Sequence, residues 1–323
     1  MTDPFRKLPE RVCFCHFEGR NSGGVSSNKG EMNKMIKRLT VWLMLLLCLV
    51  STALCEDAFI ADEKQGLWSY TAEDFKVTIK RCEDEKAKLI WYECDLICSP
   101  QSPLMAVSSN PKKPGTKFQN PERIAQKYQL VFAINDDYFG DRVYNKETPG
   151  ITIRDGKILY KKTYKSGKTS LPNLDTMAIY KDGSLGVYQS KEHTAEEYIQ
   201  MGAEHVCSFG PYLVRGGEIN PKLEGRYKNK EPRVAFGMIE PYHYVSVVVE
   251  GRHKKSKGVG LEWLAQKMYD LGAAEALNLD GGQTAALVFM GEKINTTGKF
   301  GAKANIRNLS GMLGVGVSEL VGR

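Results

Sequence analysis

The chain has 323 residues, of which 42% are hydrophobic and 26% are charged, and its formal net charge at pH 7 is +7. This apolar content supports a packed core and excludes a largely disordered protein. Residues 1–55 hold eight Lys/Arg against four Asp/Glu, so the rest of the chain is nearly balanced in charge. No basic run with interleaved aromatic residues occurs, which argues against nucleic acid as a partner.

The N-terminus has the pattern of an export segment. Residues 1–31, rich in Gly, Ser and Asn, are interpreted as a disordered leader or an over-extended start. Residues 32–55 then place basic side chains before an uncharged apolar stretch, which is typical of a secretory signal peptide or an N-terminal membrane anchor. Both readings predict an extracytoplasmic body, secreted or anchored, that meets the membrane only through this segment.

Four cysteines follow the export segment: Cys82, Cys94, Cys98 and Cys207. Outside the cytoplasm such cysteines often pair, so at least one disulfide among them is expected. The spacing of Cys94 and Cys98 is not accompanied by a second pair of Cys or His residues, which argues against a zinc site.

The first elements of the body are predicted to be strands and one helix. Residues 56–74 are interpreted as a linker, and the apolar–polar alternation over 75–98 predicts a β-hairpin. Residues 99–116, where Pro and Ser cluster, are predicted to form a loop. Asn120 and Pro121 have the residue types of an N-cap and a first helical position, so a short helix is expected to begin there.

The later elements follow the same alternation of strands and turns. A strand is predicted over 130–140, followed by hairpins over 151–160 and 176–188, each around an Asp-Gly turn. A capping-box spacing begins a helix over 194–201. Further strands and the clearest amphipathic helix are predicted in the following ranges: 208–219, 233–240, 242–250 and 311–317 for the strands, and 261–271 for the helix.

Many strands and two or three helices predict an α+β fold. We expect a mixed, mostly antiparallel β-sheet core with a few flanking helices, in a single domain over residues 75–323.

The first candidate for chemistry is the stretch NLDGGQT. An apolar strand delivers Asp280 to its end, and Gly281 and Gly282 then allow a turn with close backbone approach. Backbone N–H groups beside such glycines can receive an anion. The alternative interpretation is an ordinary hairpin turn.

Other polar residues also stand where predicted strands end. Asp136 and Asp137 follow an apolar strand, and adjacent residues of a strand point in opposite directions, so one is expected to face a site and the other solvent. Arg233 and Arg252 lie at further strand ends. Each arginine alone could be a surface charge, but carboxylates, Gly turns and arginines at several strand ends together predict one site.

Six segments in this order and spacing resemble the phosphodiester glycosidase family, over about residues 75–317. They are FAINDDYFG, SFGPYLVRGGEI, PRVAFGMIEPYHYVSVVVEGR, GLEWLAQKMYDLGA, NLDGGQTAALVFMGEKI and the late Arg307. The family includes the uncovering enzyme, which removes N-acetylglucosamine from a sugar-phosphate diester. The resemblance implies an extracytoplasmic glycoside hydrolase that cleaves a sugar-1-phosphate diester in cell-surface or polysaccharide glycans.

Carried over residue by residue, the resemblance implies a set of site residues. The catalytic candidates are Asp280, Asp137 and Arg233. The substrate-binding candidates are Asn135, Tyr138, Gly210, Arg252, Asn278, Gly281, Gly282, Gln283, Thr284 and Arg307. Asp136 departs from the Gly that members usually have, and Gln283-Thr284 stands where Gly-Ser is frequent.

Two alternatives belong to other functional classes. One is a non-catalytic protein for cell-surface glycan binding or exopolysaccharide assembly that retains the pocket. The other is a metal-dependent phosphoesterase in which Asp136, Asp137 and Asp280 hold Mg²⁺ or Ca²⁺ through oxygen ligands. A divalent cation is therefore the one cofactor that the sequence brings into consideration.

Overall fold

The protein is described by a computed structural model covering residues 58–112, 114, 117–136, 150–162, 174–298 and 307–322. The described residues form nineteen strands and three α-helices, so the α+β fold is predominantly β. The strands are β1 (Ala58–Asp62), β2 (Leu67–Thr71), β3 (Lys76–Asp84), β4 (Leu89–Ile97), β5 (Met105–Ser108), β6 (Leu130–Asn135), β7 (Gly150–Arg154), β8 (Lys157–Lys162), β9 (Asp175–Tyr180), β10 (Leu185–Tyr188), β11 (Ala203–Phe209), β12 (Tyr212–Arg215), β13 (Glu218–Ile219), β14 (Arg233–Glu240), β15 (His243–Val249), β16 (Glu275–Leu279), β17 (Leu287–Phe289), β18 (Glu292–Lys293) and β19 (Gly311–Val317). The helices are α1 (Pro121–Lys127), α2 (Ala195–Gln200) and α3 (Leu261–Asp270).

Within the described residues the strands form three sheets. The large sheet has the order β1-β2-β3-β4-β15-β14-β16-β12-β13, the second sheet β10-β9-β11-β7-β8 and the third sheet β18-β17-β6-β19-β5. All the ladders between these strands are antiparallel, and the single parallel pairing in the described part is an isolated bridge between Gly251 and Thr297. The expected predominance of antiparallel pairing is therefore confirmed, whereas the expected parallel component is absent from the ladders between these strands.

The main core joins side chains from all three sheets. Buried residues such as Ile79 of the large sheet, Met177 of the second and Phe132 of the third belong to one apolar cluster. Because successive side chains of a strand point to opposite faces, the large sheet packs against a different apolar cluster on each face. Phe236 enters this cluster, whereas its neighbour Ala235 packs on the opposite face with α3.

Each helix covers one sheet. The apolar stripe of α3 packs on the large sheet, α1 packs on the third sheet, and α2 packs on the second. The predicted caps are confirmed, because Asn120 accepts the backbone N–H of Glu122 and Thr194 forms a capping box with Glu197.

Two predicted irregular segments contain strands. The stretch interpreted as a linker over 56–74 includes β1 and β2, which extend the large sheet beyond β3. The predicted loop over 99–116 includes β5, which pairs with β19. All three strands are short. β1 and β2 pair as neighbours in sequence, whereas β5 pairs with the distant β19, and the local pattern of these segments did not indicate strands.

The expected disulfide is not formed in the described structure. Cys82, Cys94 and Cys98 are free thiols, and Cys207 is buried without a disulfide bond. Cys82 pairs with Trp91 and Cys94 with Ile79 in the β3–β4 ladder, so the two cysteines of this hairpin are not opposite each other. The predicted export segment lies outside the described residues, and among those that are described no helix is long and apolar enough to span a membrane.

Candidate active site

The Asp-Gly-Gly turn crosses between two sheets. Strand β16 ends at Leu279 in the large sheet, and β17 begins at Leu287 in the third sheet. The alternative of an ordinary hairpin is therefore wrong, since the two strands do not pair with each other. Asp280 stands at the first position of the crossing, partly exposed, where the chain leaves the large sheet.

The two glycines let this crossing approach a neighbouring loop. The Gly282 N–H donates to the Pro232 carbonyl at 2.9 Å, and a Cβ at Gly281 would lie 2.5 Å from the same oxygen. Gly282 also has a φ of +61°, a conformation that side chains other than glycine rarely adopt. Any larger residue at Gly281 would push the Asp280 turn away from β14.

Asn135 holds the crossing from the end of β6. Its Nδ2 donates to the Asp280 carbonyl at 2.8 Å, and its Oδ1 accepts the Ala286 N–H at 3.0 Å. The side chain is buried, with 1% of its residue surface exposed. These contacts make Asn135 a positioning residue for Asp280, whereas the sequence predicted it as a substrate-binding residue.

Arg307 binds the turn that follows Asp280 through two side chains of that turn. Its guanidinium donates to Thr284 Oγ1 at 3.0 Å and to Gln283 Oε1 at 3.1 Å. Thr284 is buried, and its hydroxyl accepts a hydrogen bond from Arg307 within the turn. The predicted substrate-binding residues Gln283, Thr284 and Arg307 thus lie together, and their described contacts are with one another.

Two arginines lie near the Asp280 turn, and the first, Arg233, donates from its guanidinium to the backbone carbonyls of Val259 at 3.4 Å and Asn229 at 3.2 Å. Val234 pairs with Leu279 in the β14–β16 ladder, so the next step along the ladder brings Arg233 opposite Asp280. Burial lowers the pKa of the Arg233 guanidinium below its usual value, and the nearby Arg252 acts in the same direction, whereas Glu231 and Asp280 oppose the shift. Arg233 is partly buried, and its guanidinium stays charged, so it can attract an anionic group of a ligand.

Arg252 reaches the turn from the end of β15. Its Nε donates to Glu231 Oε2 at 2.6 Å, and its Nη atoms lie 3.1 Å from the position that a Cβ on Gly282 would take. The absence of a side chain at Gly282 therefore makes room for this guanidinium. Glu231 was not predicted, although it stands two residues before Arg233 in the sequence and neutralises part of the arginine pair.

The backbone that presents Arg252 is anchored by a buried polar cluster. Glu250 is 4% exposed and accepts hydrogen bonds from Tyr92 Oη at 3.0 Å and from the Thr296 N–H at 2.7 Å. His253 Nε2 lies 3.1 Å from the Glu250 carboxylate, close enough for an ion pair but not aligned for a hydrogen bond. Glu250, which ends an apolar strand in the sequence, is a structural residue of the site.

Asp136 belongs to a buried ion pair. Its Oδ2 accepts from Arg154 Nη2 at 2.9 Å, and both side chains are 7% exposed. Asp136 is thus buried against Arg154 and does not face solvent, and its backbone does not adopt the left-handed conformation that glycine would favour. Asp137 and Tyr138 lie outside the described residues.

The contacts of Asp136 bear on the alternative in which Asp136, Asp137 and Asp280 hold a divalent cation. Asp136, one of its three ligands, already meets the positive charge of Arg154, and a guanidinium in that position competes with a cation. Across residues 58–112, 114, 117–136, 150–162, 174–298 and 307–322, no group of three or more His, Cys, Asp or Glu residues is arranged to hold a metal ion. The described residues of this set therefore do not fit a Mg²⁺ or Ca²⁺ site.

Gly210, between β11 and β12, and Asn278, in β16, join the site. The Gly210 N–H donates to the Asn278 carbonyl at 2.9 Å, and Asn278 Nδ2 donates to the Gly210 carbonyl at 2.7 Å. Ala235 pairs with Asn278, so Arg233, Asn278 and Asp280 share one face of the large sheet. The structure thus brings the described candidates to one end of this sheet.

The arrangement brings a carboxylate and two arginines to one turn. Arginine matches the oxygen geometry of a phosphate through paired N–H donors. A nearby carboxylate can act as a nucleophile, as a base for water or as the partner of a developing positive charge on carbon. The site is therefore suited to a substrate in which a phosphate adjoins an electrophilic carbon.

Comparison with solved structures shows relatives of this fold. The catalytic domain of zebrafish N-acetylglucosamine-1-phosphodiester alpha-N-acetylglucosaminidase, auto-inhibited by its pro-peptide, has a TM-score of 0.60 at 18% identity, over 76% of this chain and 84% of that chain. A hypothetical protein from Synechocystis has a TM-score of 0.53 at 14% identity, over 78% and 64% of the two chains. At these identities the likeness concerns the fold.

Sequence comparison covers much of the same region. The model of the phosphodiester glycosidase family matches residues 128–316. The SPbeta prophage-derived uncharacterized protein YomE of Bacillus subtilis (strain 168) is 26% identical over 244 residues, or 74% of this chain. The match covers 35% of that protein, so this chain spans about a third of the length of the curated relative it matches.

Proposed function

Since the chain belongs to the phosphodiester glycosidase family, a family of glycosidase-type hydrolases, we propose that it hydrolyses a sugar-1-phosphate diester. One observation carries the proposal: Asp280 stands opposite Arg233 at the end of the large sheet, and the Arg252 guanidinium lies against the same turn. The name of the zebrafish structural relative describes an enzyme for a diester of this class, which supports the choice of substrate.

The proposed reaction breaks the bond between the anomeric carbon and the phosphate oxygen. The oxygen of a water molecule bonds to the anomeric carbon, and the phosphate monoester leaves with the bonding electrons. A phosphate monoester is an acidic leaving group, so a strong general acid is less necessary than in ordinary glycosidases. The main requirements are stabilisation of the phosphate charge and a carboxylate near the anomeric carbon.

We assign the carboxylate role first to Asp280, as the base that takes the proton of water, as a nucleophile, or as the partner of the oxocarbenium ion. Asp137 is the second carboxylate proposed from the sequence. Arg233 and Arg252 are assigned to the phosphate, because the ladder brings Arg233 opposite Asp280 and the Arg252 guanidinium lies against the Gly282 position of the same turn. Arg307 supports the turn through Gln283 and Thr284.

The test is Asp280→Asn in the full chain, assayed on a panel of sugar-1-phosphate diesters with the product anomer followed. Loss of the carboxylate should lower kcat by about 10²-fold or more, since general acid–base help is worth about 10²–10⁴. Arg233→Lys should mainly raise KM, because Lys keeps the charge and loses the two-pronged contact. Asp270→Asn, an exposed carboxylate on α3, is the matched control and should leave both constants unchanged.

Three outcomes would redirect the proposal. Near-normal turnover by Asp280→Asn removes Asp280 from the mechanism and moves the role to Asp137. Binding of labelled glycan without turnover of any diester favours the non-catalytic glycan-binding function. Loss of turnover in a chelator, restored by Mg²⁺ or Ca²⁺, favours the metal-dependent phosphoesterase.

We also propose that the body, residues 75–323 with the strands that precede it, works outside the cytoplasm. The support is the basic-apolar pattern of residues 32–55, read as a cleaved signal peptide or an anchor. N-terminal sequencing of the mature protein, with cell fractionation, tests this location. A cytoplasmic protein that begins at Met1 would contradict it.

A further inference from the structure

Three loop segments that carry lysines lie side by side, next to the arginines of the candidate site. They are the turn 84–88 between β3 and β4, the segment 226–231 before β14 and the segment 252–257 after β15. Together they hold nine Lys/Arg against three Asp/Glu, whereas the whole body after residue 55 has a surplus of only three positive charges. The positive charge of the body is therefore concentrated on these segments.

Backbone contacts hold the three segments together. The Lys257 N–H donates to the Lys88 carbonyl at 2.9 Å, which joins the first segment to the third. Glu231 and Val259 form an antiparallel bridge with hydrogen bonds of 3.2 and 3.1 Å, which joins the second segment to the end of the third. A Cβ at Gly258 would lie 2.4 Å from the Glu231 carbonyl, so this approach requires glycine. The grouping of the lysines is thus determined by the fold.

The third segment is a fixed loop. Ser256 is fully buried, and its Oγ donates to the Glu250 carbonyl at 2.7 Å and accepts the Ile90 N–H at 3.1 Å. The lysines around this buried serine are all exposed: Lys254, Lys255 and Lys257. The loop therefore presents three ammonium groups from a positioned backbone.

The lysines of the three segments lack counter-ions on the protein. The exposed lysines are Lys86, Lys88, Lys228, Lys230, Lys254, Lys255 and Lys257. None of them forms an ion pair with a described residue. Of the three carboxylates on the same segments, Asp84 accepts the Ala87 N–H at 2.9 Å and Glu231 accepts from Arg252 at 2.6 Å. These seven lysines, here called the lysine surface, attract anionic groups within about 10 Å at ordinary ionic strength.

The lysine surface adjoins the candidate site. Lys254 follows Arg252 by two residues, so their Cα atoms lie at most about 7 Å apart. The Arg233 guanidinium donates to the carbonyls of Asn229 and Val259, at 3.2 and 3.4 Å, and so lies between the second segment and the end of the third. A ligand with one phosphate at these arginines would bring its neighbouring anionic groups to the lysines.

We propose that the lysine surface binds a polyanionic glycan in which phosphodiesters recur along the chain, so that the substrate is a polymer of sugar phosphates. The inference rests on the proposed function for the phosphate at Arg233 and Arg252. Once one phosphate is bound there, each further contact is intramolecular, which raises the affinity without a new contact at the reacting bond. This continuity favours a polymer over an anionic membrane, whose headgroups have no covalent link to a group at the arginines.

The test compares an oligomer of N-acetylglucosamine 1-phosphate diester units with a single diester of the same unit. In both ligands a methylene group replaces the anomeric oxygen, so the unaltered full chain binds them without cleavage. Calorimetry should show that the oligomer binds about tenfold more tightly, or better. Raising NaCl from about 0.05 to about 0.3 M should reduce this advantage about fivefold or more, because the screening length shortens.

A lysine variant tests which residues supply the advantage. The triple variant Lys254→Gln, Lys255→Gln, Lys257→Gln should lose most of it and keep its affinity for the single diester within about twofold. The matched control removes the same charge from exposed lysines outside the three segments: Lys76→Gln, Lys112→Gln and Lys157→Gln. The control should keep the advantage. An equal loss in the control would indicate an effect of net charge and overturn the lysine surface.

Further outcomes separate this proposal from its alternatives. Equal affinities of the unaltered chain for the oligomer and the single diester would overturn it. Lysine-dependent binding to phosphatidylglycerol vesicles that is tighter than binding to the oligomer would indicate a membrane surface and also overturn it.

The hydrolase and the lysine surface can fail separately. Lysine-dependent binding of the oligomer, without turnover of any cleavable diester, would support the surface and overturn the hydrolase. Turnover of cleavable diesters, with the same KM for the oligomer in the unaltered chain and the lysine variant, would overturn the surface and leave the hydrolase standing.

Discussion

Replacement of Asn135 by Ala would show how firmly the third sheet holds the turn of Asp280. The substitution removes the hydrogen bonds to the Asp280 carbonyl and to the Ala286 N–H, which measure 2.8 and 3.0 Å. Both backbone groups would lose a partner in a region where Asn135 itself is 1% exposed. Each buried group left unpaired costs about 1–3 kcal/mol, so we expect the free energy of unfolding to fall by about 2–5 kcal/mol.

Urea unfolding measures this loss, and diester turnover measures the displacement of Asp280. A misplacement of about 1 Å in an active site can cost about 10²-fold in rate, so kcat should fall even where the variant is fully folded. Asn135→Asp is the matched variant, because it keeps the acceptor for Ala286 and loses the donor for Asp280. Its second carboxylate oxygen would be buried against the Asp280 carbonyl, so this variant should lose at least as much stability as Asn135→Ala and a similar part of kcat. A stability loss under about 1 kcal/mol with normal turnover of Asn135→Ala would refute the positioning role.

Other variants test the buried charges. Asp136→Asn leaves the Arg154 guanidinium buried without its carboxylate, so the free energy of unfolding in urea should fall by about 3–5 kcal/mol. The double variant Asp136→Asn, Arg154→Met should lose less stability than the sum of the two single variants. Simple additivity of the losses would contradict the pairing. Burial, with a contribution from Arg154, lowers the pKa of His205 to about 3. Since the unfolded chain then binds more protons between about pH 6.5 and 3, stability should fall by up to about 5 kcal/mol as the pH falls through that window. His205→Gln should flatten the dependence of the urea midpoint on pH, and an unchanged dependence would count against His205 as its source.

Local patterns in the sequence predicted many of the elements correctly. The hairpins around the Asp-Gly turns, the two capped helices and the amphipathic α3 all depend on contacts between residues close in sequence. Strands β1, β2 and β5 were missed, because the composition of their surroundings indicated a linker and a loop, and β5 meets its partner β19 only in the folded sheet. The disulfide prediction was wrong for a similar reason, since the register of β3 and β4 separates Cys82 from Cys94.

The candidate site also shows which features local sequence predicts and which depend on contacts between distant residues. Asp280 with its two glycines, and the arginines at strand ends, could be found from residue types and spacing. The structure then showed that Asn135, Thr284 and Arg307 have described contacts with the turn itself. Residue type does not distinguish these roles, because an amide or a guanidinium can bind a ligand or a backbone with the same atoms.

The sequence by itself determined the family, the predominance of strands and the set of polar residues that could form a site. Only the tertiary structure decided that the Asp280 turn joins two sheets, that Asp136 faces Arg154, and that three lysine-bearing segments lie side by side. The physical reason is the range of the interactions. Hydrophobic periodicity and turn chemistry act over a few residues, whereas the pairing of β14 with β16 and the hydrogen bonds from β6 join positions that are distant along the chain.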